Sequence, residues 1–303
     1  MMLSPSTIDR RRFTLGSLAA VAAATFPKRL LAANESKRRY KYCAFTKFLG
    51  AYDYEELATQ IAEAGFDGIE VTARKKDSYI HPDRAADELP ALNEVLAKHG
   101  LEITILTTDI LRADEPHAES MLRTAKQLGI KRYRLGFYTY DLNQPLIPQL
   151  MELRPVIHDV VDMNRDISIA ALYQNHCGAK NMGATLWDLH SLIKDYPISE
   201  ISCVFDIRHA TVEGGEAWPV YYDLMKPHLG ALSAKDFNWK DRKSQHVPLG
   251  TGQVDPKFYK MVRNSDFAGS ISVHVEYLPN GDAVANLAAL KSDFATLRGW
   301  LEA

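Results

Sequence analysis

Four polar clusters carry the chemistry that this sequence could perform, each ending an apolar, β-branched run. They are Gln174-Asn175-His176 after ISIAALY, Asp206 to His209 after ISCVF, Lys235-Asp236 after GALSA, and His274-Val275-Glu276 after GSISV. Carboxylates, imidazoles, an amine and an amide are the groups that transfer protons, hold metal ions or bind hydroxyl-rich ligands. Recurring at strand ends, they imply parallel strands that deliver polar side chains to one shared rim, as an α/β barrel does. Two further residues belong with them. Glu70 ends an apolar run and is either a rim acid or a partner for Arg74. Arg134 sits within another run, where unpaired burial is costly; it either binds substrate or pairs with a barrel carboxylate such as Glu70, and the pairing is the favoured reading.

The elements needed to position these groups are legible from residue 40 onward. Short apolar runs predict strands at Lys41–Thr46, Gly68–Val71, Glu102–Thr107, Arg132–Phe137, Ser168–Tyr173, Ile201–Phe205, Gly230–Ala234 and Ser270–Val275. Amphipathic segments alternate with them; the first, Tyr54–Ala64, has Asp53 at its start and Gly65 at its end, both ordinary cap residues. Later helices are expected near Leu186–Lys194, Ala217–Lys226, Pro256–Val262 and Val284–Leu301. Near-continuous apolar strands imply a parallel sheet buried on both faces. Eight strand-helix units, with no Gly-rich phosphate turn after the first strand, favour a single closed (β/α)8 TIM barrel over residues 40–303 rather than an open sheet. The loop Thr211–Glu216 carries two glycines and reads as a segment that could flex over the rim.

Several motifs carry a family resemblance. Ala62-Glu63-Ala64-Gly65-Phe66-Asp67-Gly68-Ile69-Glu70 resembles the opening helix-to-strand turn of the xylose-isomerase-like barrels. Asp206-Ile207-Arg208-His209-Ala210 is similar to their Asp-x-x-His-Ala element, and Lys235-Asp236 to the Lys-Asp at strand seven. Val247 to Asp255 resembles their Pro-Leu-Gly-x-Gly-x-Val-Asp loop. The resemblance spans the chain from residue 40 and implies a sugar isomerase or epimerase. It also implies one divalent ion held by Glu, Asp, His and Glu from strands five to eight, polarising a hydroxyl-ketone pair during proton transfer.

Carried over by position, only Asp206 matches that ligand set. Gln174 stands for the first Glu, Ser233 for the His and His274 for the last Glu. Two readings therefore stand side by side. A metal held by Asp206, His274 and Gln174, with Glu276 nearby, would suit Mn, Zn or Ni better than Mg. Alternatively the pocket has dropped the metal and binds sugar hydroxyls by hydrogen bonds. Candidate proton-transfer groups are His209, Lys235 and Glu276; candidate substrate contacts are Glu70, Arg134, Gln174, His176 and Trp239. For Asp206 the plainer role is a salt bridge to Arg208 or Lys235, and for Lys235 a pairing with Asp206 or Asp236. A lyase or hydrolase acting on a keto-sugar glycoside, and a non-catalytic sugar-binding barrel, remain the alternatives to an isomerase.

The first 33 residues read differently. Asp9-Arg10-Arg11-Arg12-Phe13 resembles a twin-arginine export motif. An uncharged stretch from Thr14 to Phe26 and a small-residue site at Leu31-Ala32-Ala33 follow it. The apolar stretch is too short to span a bilayer and fits a signal peptide. That implies export to the periplasm and no stable membrane span after processing. Residues 1–33 hold five basic side chains against Asp9 alone, so their removal takes the net charge from −2 to −6. A mildly acidic body without a basic stripe argues against nucleic acid as partner and leaves a small sugar. Cys43, Cys177 and Cys203 are too few and too scattered for a disulfide framework. An oligomer is compatible with the sequence, but nothing marks an interface.

Overall fold

A computed structural model describes residues 40–76, 78–278 and 282–302. The expected export signal at 1–33 lies outside them. Eight parallel strands close into a barrel: β1 (Lys41–Phe45), β2 (Gly68–Ala73), β3 (Glu102–Thr108), β4 (Arg132–Arg134), β5 (Ala170–Gln174), β6 (Ile201–Asp206), β7 (Leu229–Ala234) and β10 (Ser270–Val273). β10 closes the ring between β7 and β1, pairing Tyr42 with Ile271 on one side and Leu232 with Ile271 on the other. The two remaining strands, β8 (Asp236–Lys240) and β9 (Lys243–Val247), form an antiparallel hairpin directly after β7. Among the described residues no helix is long and apolar enough to cross a membrane.

Local chemistry explains the first unit. Asp53 accepts the backbone N–H of Glu56, and Glu56 accepts that of Asp53, a reciprocal cap that opens α1 (Tyr54–Ala64). Gly65 ends it at φ 85°, a left-handed conformation that costs glycine little. Helices α2 (Ala85–Lys98), α3 (Ala118–Gln127), α4 (Leu146–Ile167) and α5 (Trp187–Ile193) follow their strands in turn.

The strand period of two sets the layers inside the barrel. Cys43, Ile105, Leu172, Val204 and Ala231 form an apolar cluster of their own, apart from the main core between sheet and helices. Two residues further along the same strands come Phe45, Thr107, Gln174, Asp206 and Ser233, all buried. An apolar plug thus supports a polar layer at the C-terminal ends of the strands, where barrels of this architecture carry their sites.

Two expectations need correction, and one element is added. The segment Thr211–Glu216 is not a flexible loop, because α6 (Ile207–Gly214) begins directly at the end of β6 and a 3-10 turn, Gly215–Ala217, leads from it into α7 (Trp218–Met225). Asp206 causes this, since its Oδ1 accepts the backbone N–H of His209 at 3.1 Å as a helix cap. β4 ends at Arg134 rather than Phe137, although Leu135 N–H still donates to the Leu172 carbonyl oxygen and Gly136 N–H to that of Ile110, both at 2.9 Å; a Cβ on Gly136 would lie 3.1 Å from the Asp109 carbonyl oxygen. The β8–β9 hairpin is additional to the eight expected strands. Its turn places Asp241 and Arg242 at φ 49° and 63°, the primed-turn conformation that matches strand twist without the usual glycine.

Asp236, beside Lys235 in sequence, proves structural. Its carboxylate accepts backbone N–H groups from Phe237 (2.8 Å), Gly250 (3.0 Å), Gly252 (2.9 Å) and Val254 (3.0 Å). It therefore ties the Pro248–Val254 loop to the end of β7. A Cβ on Gly252 would lie 2.3 Å from Asp236 Oδ1, so glycine is required for that approach.

Candidate active site

Two connected groups of side chains fill the polar layer. The first is centred on Glu70 of β2, 1% exposed. Its Oε1 lies 3.1 Å from Arg134 Nη1 and accepts the hydroxyl of Thr107 at 2.6 Å, while its Oε2 lies 3.0 Å from His274 Nε2. Burial opposes ionisation of Glu70, but Arg134 and then His274 outweigh it and hold the carboxyl well below the usual carboxylate range. Glu70 is thus neither a rim acid nor the partner of Arg74, which instead faces Asp109 at 3.3 Å. The favoured expectation for Arg134, a pairing with Glu70, matches the geometry.

Gln174 connects the first group to the second. Its Oε1 accepts from Arg134 Nη1 at 2.6 Å, and its Nε2 donates to Asp206 Oδ2 at 2.7 Å and to Ser233 Oγ at 3.2 Å. A neutral amide suits this place because one end meets a cation and the other a carboxylate. A Glu here would set a second carboxylate against Asp206 in a buried layer.

The second group surrounds Lys235, which leaves the end of β7 and is 4% exposed. Its Nζ lies 2.9 Å from Asp206 Oδ2, 3.1 Å from His209 Nε2 and 3.4 Å from Glu276 Oε2. Burial lowers the affinity of Lys235 for its proton, yet Asp206 and Glu276 overcome that and raise its pKa, so the amine is an ammonium at neutral pH. For Glu276 burial again works against charge, and Lys235, His274 and His246 reverse it to hold the carboxyl well below its ordinary range. Asp206 therefore pairs with Lys235 and not with Arg208. Arg208 turns toward Cys177 Sγ at 2.9 Å and Ser244 Oγ at 2.9 Å, with its guanidinium over the Phe237 ring.

The rings of His209 and His176 lie against each other with centroids 4.0 Å apart, tilted by 35°. Both are held neutral, first by burial and next by the Lys235 charge. His246, on β9, reaches within 3.3 Å of Glu276 Oε2, and burial pushes it down to about 4. His274 differs from these. Its ring stacks on Phe45 at 4.2 Å, its Nε2 is held by Glu70, and its buried Nδ1 has no hydrogen-bond partner. Glu276 Oε1, at 3.9 Å from that nitrogen, is too distant to bond with it.

The structure thus brings together Glu70, Arg134, Gln174, Asp206, His209, Lys235, His274 and Glu276, with His176 at their edge. Trp239 stands apart, half exposed on β8 and edge-on to Phe237 at 5.5 Å. Sequence reasoning did not single out Thr107, Phe45 or His246. Thr107 and Phe45 carried a signal, being in phase with Ile105 and Cys43 two residues earlier; His246 carried none, since its place depends on the hairpin.

The expected ligand set of Asp206, His274 and Gln174 does not form around a cation. Gln174 presents its amide nitrogen, a donor, to Asp206, and His274 spends Nε2 on Glu70. The ammonium of Lys235 and the guanidinium of Arg134 already balance the carboxylates. These residues do not fit a divalent ion at the barrel axis. A separate trio, His176, Cys177 and His209, brings three ligand atoms within 4.8 Å of one another. Arg208 Nη1 lies 2.9 Å from both Cys177 Sγ and His209 Nδ1 within that trio.

An eight-stranded barrel with buried acid, base and cationic groups at the strand ends defines a class of α/β barrel proteins whose sites lie at that end of the strands. Within that class the chain belongs to the xylose isomerase-like TIM barrel family, whose model matches residues 58–293. No curated protein matches it. Among solved structures it is similar to the probable 3-DHS dehydratase AsbF from Bacillus anthracis, at 16% identity over 83% of this chain and 97% of that one, TM-score 0.65. It is similar too to the 3-keto-D-glucoside 4-epimerase YcjR from E. coli, at 15% identity over 86% and 99%, TM-score 0.64. IolI, whose structure holds a zinc atom, aligns at 16% identity over 86% and 98%, TM-score 0.65. At these identities the likeness establishes the fold.

The charge states have a consequence for stability. Burial lowers the pKa of His176, His209 and His246, and of His228 outside the site. Below the unfolded value of about 6.5 the unfolded chain binds protons that these folded imidazoles refuse, so stability falls with pH there. Asp293, pushed up to about 6 by burial, acts in the opposite direction. Four histidines against one carboxyl give a net loss. Glu70 and Glu276, both depressed, keep their contribution until the pH drops below about 4.3. The melting temperature is therefore expected to fall by several degrees between about pH 7.5 and pH 5; a flat profile by circular dichroism would show that the imidazoles are accessible to protons in the folded state.

Proposed function

We propose that the chain is a sugar-modifying enzyme that moves a proton beside a carbonyl, as an isomerase or epimerase does. The observation that carries this reading is the orphaned Nδ1 of His274. Glu70 holds the opposite ring nitrogen, so the neutral ring offers a lone pair at Nδ1 and the protonated ring a donor. A buried base oriented by a carboxylate is the arrangement that proton abstraction needs.

Nδ1 takes the proton from the carbon next to the carbonyl, and the C–H electron pair forms the enediolate while negative charge moves to oxygen. The Lys235 ammonium and the Arg134 guanidinium are the fixed cations able to stabilise that oxygen. Return of the proton to the neighbouring carbon gives an isomer, and return to the other face gives an epimer. Glu276, His209 and His246 are the groups through which protons would pass between hydroxyl oxygens. His176 and Gln174 line the same layer and would bind hydroxyl groups. Expulsion of a leaving group from the same enediolate would give a lyase, for which AsbF, a probable dehydratase of the same fold, is a precedent.

The test is proton exchange rather than product formation, because all these outcomes share the enolisation. The protein is incubated in D2O with a ketose or a 3-keto-glucoside and the carbon-bound protons are followed by NMR. Deuterium entering beside the carbonyl supports the reading. Saturable sugar binding with no exchange would replace it with a non-catalytic sugar-binding barrel. The sequence of residues 1–33 further supports export of the folded chain, which detection of the protein in a periplasmic extract would test.

A further inference from the structure

The surroundings of Lys235 Nζ have the form of a metal site. Two carboxylates and an imidazole converge on that one atom from three parts of the chain: Asp206 at the end of β6, His209 in α6 and Glu276 beyond β10. Carboxylate oxygen and imidazole nitrogen are the donors that hold first-row divalent ions. All three point inward at a position occupied by an atom of the chain itself. Distances of 2.9 to 3.4 Å suit hydrogen bonds from an ammonium. A metal would require the same walls to close by about 1 Å; Glu276 is the most exposed of the three.

We infer that the Lys235 ammonium is a resident cation filling a hole that would otherwise bind a divalent transition-metal ion. The native chain therefore takes no metal at this point, and loss of the ammonium turns the hole into a metal site. This inference rests on the converging donors and stands apart from the proton-transfer reading. It also accounts for the neutral residues at Gln174 and Ser233. With a cation supplied by the chain, further anionic or imidazole ligands on β5 and β7 are not needed to balance Asp206.

Mn2+ is the suitable probe, because carboxylate and imidazole hold it while the thiol of Cys177 favours softer ions. The full chain, Lys235→Ala and Lys235→Ala/Asp206→Asn are titrated with Mn2+, with free ion followed by electron paramagnetic resonance. Lys235→Ala is expected to bind one equivalent, and both the native chain and the double variant none. Circular dichroism should show Lys235→Ala melting below the native chain and recovering when Mn2+ is added. If Lys235→Ala does not fold even with Mn2+, Lys235→Gln, which keeps the stem and drops the charge, replaces it in the same titration. Mn2+ uptake by the native chain that is lost on Asp206→Asn overturns the inference. So does a folded variant lacking the ammonium that takes up no Mn2+.

Discussion

His274→Gln is expected to lower the rate of proton exchange beside a substrate carbonyl by about 10²- to 10⁴-fold, the usual contribution of a positioned base. Gln is the informative replacement because its amide nitrogen can still reach Glu70 Oε2, where His274 Nε2 now lies at 3.0 Å. The ring atom that is lost without substitute is Nδ1, the one with no partner. If Nδ1 is the base, kcat falls while KM changes little, since the interaction matters in the transition state and not in binding. Glu70→Gln should give a smaller loss and a shifted pH-rate profile, because it loosens the orientation of the ring without removing it. Retention of activity within about threefold in His274→Gln would assign proton abstraction elsewhere, with Glu276 the next group to test.

The sequence made the barrel legible because strand periodicity repeats: Gln174 is in phase with Leu172 and Asp206 with Val204, each two positions after an apolar residue of the barrel interior. Position along the strand then told which end of the barrel the side chains share. Partnerships were harder to read. Glu70 and His274 are 204 residues apart and meet only because β2 and β10 flank β1 in the closed ring. Arg74 is the partner nearer to Glu70 in sequence, and the ring closure gives Glu70 to Arg134 and His274 instead. The role of Asp206 as a cap was concealed for a similar reason. The glycines at 214 and 215 suggested a loop, whereas the carboxylate at the end of β6 starts a helix within one residue. His246 reaches the site through a hairpin whose turn, Asp241-Arg242, lacks the glycine or asparagine that would have marked it. The departures at Gln174, Ser233 and His274 were visible as mismatches, but their meaning required the position of the Lys235 ammonium.

Arg134→Leu is expected to destabilise the fold by about 3–5 kcal/mol, the cost of leaving a buried partner charge without compensation. Side-chain exposures of 4% for Arg134 and 1% for Glu70 leave little solvent screening. The substitution also strips Gln174 Oε1 of its donor at 2.6 Å. For a domain of this size the loss corresponds to a fall in melting temperature of about 10 °C, measurable by calorimetry. Hydrophobic burial alone would predict the reverse, since leucine packs against Phe45 and Phe137, over whose rings the guanidinium now lies. The double variant Arg134→Leu/Glu70→Leu separates these effects. Removing both charges should cost less than the sum of the single changes by at least about 1 kcal/mol, because each single variant strands the other charge. Additive costs would mean that Glu70 is compensated by Thr107 and His274 without Arg134. If the costs couple as expected, Arg134 keeps Glu70 ionised, and an ionised Glu70 is the partner that holds His274 by its Nε2 at 3.0 Å. A residue with no direct role in abstracting the proton would then set both the stability of the barrel and the orientation of its base.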